Sequence, residues 1–141
     1  MCLEGFTMGT LDPTSFISGL NCCFNSNDEV ESRRCISILY FSVFNFWMEK
    51  CNVKPGQDKD YQDMEKSFKT LQTTKGSKVP IVEVSNLNQF RVFADHYHGN
   101  NTTMLRNNSS KFILFDKNLQ MEMKKNAETV IAFLNSINRM P

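Results

Sequence analysis

Glycine and proline are scarce in this chain, at six and four of 141 residues, which excludes a collagen-like repeat and a low-complexity linker. A surplus of either charge is also missing. Sixteen Lys and Arg face fifteen Asp and Glu, for a formal net charge of +1. With no bulk field to hold a polyanion, and no local basic patch read in its place, neither nucleic acid nor an acidic membrane surface is an expected partner. The aromatics are not interleaved with Arg and Lys as single-strand binders require, because most fall in one apolar run. That run, residues 35–48, is broken by Ser37, Ser42 and Asn45 and is too short to span a bilayer. No Gly-rich phosphate loop, nucleophile elbow or helical His-Glu-x-x-His occurs, so nucleotide hydrolase and metalloprotease readings lack support. No basic segment followed by an apolar one opens the chain, so no signal peptide is read, and a segment cut from a longer protein fits the same observation.

What is present is apolar material. Hydrophobic residues make up 40% of the chain, with twelve Phe and eight Met, enough to fill the core of a single domain over residues 1–141. The five cysteines, Cys2, Cys22, Cys23, Cys35 and Cys51, are odd in number and show no metal-ribbon spacing. His96 and His98 have no Cys or carboxylate at ligand spacing, so neither a metal nor a cofactor is expected. A disulfide between adjacent Cys22 and Cys23 would strain the peptide between them, which favours free thiols. Cys35 reads as a small buried hydrophobe. Four overlapping Asn-x-Ser/Thr sequons, at Asn100, Asn101, Asn107 and Asn108, favour a glycoprotein of the endoplasmic reticulum lumen or secretory pathway over a cytoplasmic protein.

Periodicity orders the chain. Asp12 and Pro13 open a helix carrying Phe16, Ile17 and Leu20. Residues 22–34 read as a polar insertion, a loop or a short exposed helix. Residues 36–47, β-branched and aromatic without an amphipathic period, read as a strand buried on both faces, with a buried helix as the rival. Residues 58–74 place Tyr61, Met64, Phe68 and Leu71 at helical spacing, closed by Lys75, Gly76 and Ser77. Residues 79–84 read as a second strand. A helix follows over residues 86–98 through Leu87, Phe90, Phe93, Ala94 and Tyr97, then an Asn/Thr/Ser insertion over residues 99–110. Residues 111–123 read as a hairpin with its turn at Asp116, and a helix capped by Asn126 closes the chain. This order implies α/β architecture, a mixed sheet covered by helices on both faces.

The segment Phe46-Trp47-Met48-Glu49-Lys50-Cys51-Asn52-Val53-Lys54 resembles the active-site segment of the thioredoxin and protein disulfide isomerase superfamily, and the likeness extends over most of residues 10–138. The resemblance implies a three-layer α/β/α sandwich around a mixed sheet of four or five strands, with Cys51 on the nucleophile position. Lys54 stands where the resolving cysteine would be, Asn45 where the buried acid would be, and Ser110 where the cis-proline would be. It therefore implies a degenerate active site with no dithiol oxidoreductase activity. The domain would act as a binding or scaffolding module for a polypeptide partner, alone or within a larger disulfide-isomerase-like protein, with Trp47, Lys50, Lys54 and Ser110 around the binding face. Two alternatives stand beside it. One is a monothiol thiol-disulfide oxidoreductase using Cys51 and glutathione, aided by Lys50, Lys54 and a following helix N-terminus. The other takes residues 36–47 as helix and the chain as a small α+β interaction domain without a redox role.

Overall fold

The computed structural model describes residues 15–17, 23–51, 60–96, 102–104, 110–112, 114–138 and 140. Its longest element begins inside the segment expected to be an insertion. The Asp28 carboxylate accepts from the Val30 backbone N–H at 3.1 Å and caps helix α1, Glu29–Lys50. Glu29 and Glu31 occupy its first turn and Lys50 its last, the arrangement the helix dipole favours. Residues 36–47 are therefore helix, and the central strand expected there is corrected.

The physical reason is enclosure. Ten residues of α1 are buried, among them Ile36, Leu39, Tyr40, Val43, Phe44 and Trp47. A helix covered on several sides needs no single apolar stripe, so its sequence shows no period to read. β-Branched and aromatic residues cost up to about 0.7 kcal/mol each in a helix. Burying a large apolar side chain contributes about 1.5–3 kcal/mol, so burial wins.

Helix α2, Tyr61–Lys75, starts with a reciprocal capping box. Asp60 accepts from the Asp63 N–H and Asp63 from the Asp60 N–H, each at 2.9 Å. Met64, Phe68 and Leu71 face inward as the spacing predicts. Gly76 ends α2 at φ 72° and leads into a 3₁₀ turn, Gly76–Lys78. The expected second strand over residues 79–84 is instead the start of helix α3, Ile81–His96. The Pro80 carbonyl accepts the first helical bond, from Val84 N–H at 3.2 Å, and its missing N–H costs nothing at a helix start.

The expected hairpin over residues 111–123 is also corrected. Strands β1, Thr102–Met104, and β2, Ser110–Phe112, pair antiparallel with Thr103 opposite Lys111, so part of the expected loop over residues 99–110 is ribbon. Asp116 is not a hairpin turn. It accepts from the Leu119 N–H at 2.9 Å and caps helix α4, Lys117–Asn135. The alternating residues 119–123 lie inside α4, and Asn126, expected as a cap, stands mid-helix with its amide donating to the Glu122 carbonyl.

Long-range hydrogen bonds fix the directions of the helices. The Ser32 hydroxyl donates to the Asp116 carbonyl near the starts of α1 and α4, and Lys50 Nζ donates to the Ile137 carbonyl at their ends, so the two run parallel. The Arg33 guanidinium, near the start of α1, donates to the Phe93 and Ala94 carbonyls at the end of α3, which runs antiparallel. Asn88 donates to Glu65 between α3 and α2. The architecture is a helical bundle with one short ribbon. This overturns the α/β/α sandwich and the thioredoxin likeness, because among the described residues no central sheet exists to carry them.

Arg33 is the tie between α1 and α3. It also pairs with Glu29 at 3.0 Å and stacks 4.1 Å from the Phe115 ring centre. Replacing it orphans two carbonyls of a helix end, so Arg33→Ala is expected to cost about 2–3 kcal/mol in urea unfolding. Glu29→Gln, at a side chain 46% exposed, is expected to cost under about 1 kcal/mol. Equal losses in the two variants would show that the surface ion pair, not the buried contacts, does the joining.

Candidate functional site

The residues expected to form a thiol site are dispersed. Cys51 is the C-cap of α1, half-buried, with its N–H donating to the Trp47 carbonyl at 2.9 Å. A helix C-terminus presents carbonyls, so α1 gives a Cys51 thiolate none of the support expected from a helix N-terminus. The Lys50 ammonium turns to the end of α4, bonded to the Ile137 carbonyl at 3.2 Å. Trp47 is 1% exposed and packs on Phe44 with ring centres 5.5 Å apart, a core residue and not a lid. Ser110 opens β2 opposite Met104. Asn45, expected at the place of the buried acid, is exposed on α1, whereas Lys54 and the sequon residues Asn100, Asn101, Asn107 and Asn108 lie outside the described residues. Among the described residues no group of three His, Cys, Asp or Glu side chains is placed to hold a metal ion.

The polar chemistry of the interior gathers around Arg91 instead. Arg91 is 6% exposed, with its guanidinium 4.2 Å from the Tyr61 ring centre and 4.9 Å from that of Tyr40. Nη2 donates to Asn88 Oδ1 at 3.0 Å, and Asn88 Nδ2 donates to Glu65 Oε1 at 2.8 Å. On the other side Arg91 Nη1 stands 3.7 Å from Asp95, which also accepts from the Ser37 hydroxyl. The aromatic faces and polar partners together hold a buried cation where α1, α2 and α3 meet. The Asn88–Glu65 and Ser37–Asp95 hydrogen bonds and the ring contacts of Arg91 cross between helices, so the cluster joins α3 to α1 and α2.

Among the described residues it is Tyr40 whose titration is displaced. Burial pushes its phenol well above the ordinary value of 10.0, and the neighbouring Arg91 opposes this only in part. Its hydroxyl has no hydrogen-bond partner among the described residues. The folded state therefore keeps Tyr40 protonated at a pH where the unfolded chain ionises. Stability is unaffected below about pH 10 and falls as pH rises above it. Tyr40→Phe is expected to leave stability at pH 7 within about 1 kcal/mol and to flatten the alkaline decline. An unchanged alkaline limb would place the titrating group elsewhere.

The surface holds two features that sequence reasoning did not collect. Four large apolar side chains are exposed: Val30, Leu114 and Met121 toward the end of the bundle where α1 and α4 begin, and Val82 in the first turn of α3 at the other end. At that same end, a cleft of about 360 Å³ is lined by Lys75, Lys78, Phe133, Ser136 and Ile137. The lysines were legible, since residues 66–82 contain four Lys and no Asp or Glu; the near-zero net charge concealed them. Comparison with protein-family models, with curated proteins and with solved structures finds no match in any of the three.

Proposed function

We propose that this chain is a helical binding domain for another polypeptide. The observation that carries the reading is the apolar end. Val30 is 54% exposed, Leu114 65% and Met121 41%. Single exposed apolar residues are ordinary, but three at one end of a bundle, among the charged residues Glu31, Lys117 and Lys125, have the character of a contact surface. The buried polar side chains support the same reading, because Arg33, Arg91, Gln120 and Ser32 bond to backbone or side chains of the bundle. No helix among the described residues is long and apolar enough to cross a membrane.

A photo-crosslinking amino acid at Val30, Leu114 or Met121, in cells that express the protein, is expected to give one shared heavier adduct. The same amino acid at the exposed mid-helix α4 residues Glu128 and Thr129 is expected to give none. Val30→Asp with Leu114→Asp should abolish the Met121 adduct while leaving the circular dichroism spectrum unchanged. Equal labelling at all positions, or at none, would refute a polypeptide contact at this end.

A further inference from the structure

The carboxylates of α2 are all committed at its beginning. Asp60 and Asp63 close the capping box, and Glu65 accepts from Asn88. From there to Val82 the chain has no acid, while Lys66, Lys69, Lys75 and Lys78 are all exposed. None of the four forms an ion pair among the described residues. Four charges of one sign thus stand on one helix and its following turn, in a chain whose net charge is +1.

Lys66 and Lys75, nine residues apart at about 100° each, lie on opposite faces of α2, so only the end of the helix, at Lys75, meets a shaped floor. Lys75 falls on the same helical face as Phe68 and Leu71, one turn beyond the last buried residue. Gly76, at φ 72°, then breaks the helix, and the 3₁₀ turn brings Lys78 to the same cleft. Phe133, half-buried with its ring 6.0 Å from Phe68, lines the cleft with Ile137. The Ile137 carbonyl is held by the Lys50 ammonium, so a third lysine approaches the end where Lys75 and Lys78 line the cleft.

We propose that this cleft docks an acidic segment of a polypeptide partner, with carboxylates on Lys75 and Lys78 and an apolar side chain against Phe133 and Ile137. The apolar floor distinguishes the occupant from a polyphosphate or a sulfated glycan, which has nothing to bury there. The class of partner rests on the polypeptide-binding reading, but the surface is a separate one, about 18 Å along α4 from Met121 to Phe133 at the nearest.

The test uses the full chain and fluorescence anisotropy with a labelled peptide alternating Glu and Leu. Binding is expected, weakening with added salt and by about tenfold in the Lys75→Glu, Lys78→Glu double variant. An all-Glu peptide of equal length is expected to bind more weakly, for want of an apolar side chain. Failure of the Glu/Leu peptide to bind, or equal affinity in the double variant, overturns the proposal. Tighter binding by heparin oligosaccharides or phosphatidylserine vesicles overturns it in favour of another polyanion. A photo-crosslinker at Lys78 separates the two readings. Adducts at Val30 and Leu114 with none at Lys78 sink the cleft alone, whereas adducts at none of these positions sink polypeptide binding altogether.

Discussion

Enclosure of α1 is the constraint from which the rest of the molecule follows. A helix apolar over most of its circumference must be covered on several sides, and α3 and α4 supply most of that cover. The parallel course of α4 and the antiparallel course of α3 place their buried residues, Met123, Ala127, Val130 and Leu134 on one and Val84, Leu87 and Ala94 on the other, around a common axis. With its apolar side chains so used, α1 leaves the chemistry of the surface to α2, to α4 and to the ends of the bundle.

Two buried arginines keep this packing in register. Arg33 fastens the first turn of α1 to the last carbonyls of α3, and Arg91 reaches from α3 to aromatic rings on α1 and α2. Hydrophobic burial supplies most of the stabilisation but is non-directional, so the register of the helices is set by shape complementarity together with polar contacts. A guanidinium bonded to specific carbonyls or flanked by specific rings resists a slip of that register, since displacement leaves a buried charge without partners.

What was legible in the sequence followed amphipathicity. The expected helix over residues 58–74 is α2, Tyr61–Lys75, because Tyr61, Met64, Phe68 and Leu71 mark one face against charged residues, and Gly76 is its stop. Leu87, Phe93 and Ala94 were likewise found on the buried side of α3. Residues 36–47 hid their helix because enclosure removes the period. The signals that decide the case lie outside the run, in the Asp28 cap and the acidic first turn, and in a length beyond the usual four to eight residues of a buried strand. Pro80 and Asp116 misled for a related reason: both suit a turn or strand edge, and both suit a helix start equally well. The thiol site drew its logic from a strand leading into a helix at Cys51, and it lost that logic when Cys51 became the end of a helix.

The same enclosure leaves two ends of different character, one with the exposed Val30, Leu114 and Met121 and one with the cleft lined by Lys75 and Lys78, and polypeptide contact at each is what we propose. This account stands on α1 being a helix through its most strand-like residues. Backbone carbon chemical shifts over residues 36–47 in the intact chain measure that directly. Uniform helical shifts from Ile36 to Trp47, with slow amide exchange at Leu39, Tyr40 and Val43, are the predicted result. Extended-strand shifts over the same residues would contradict it.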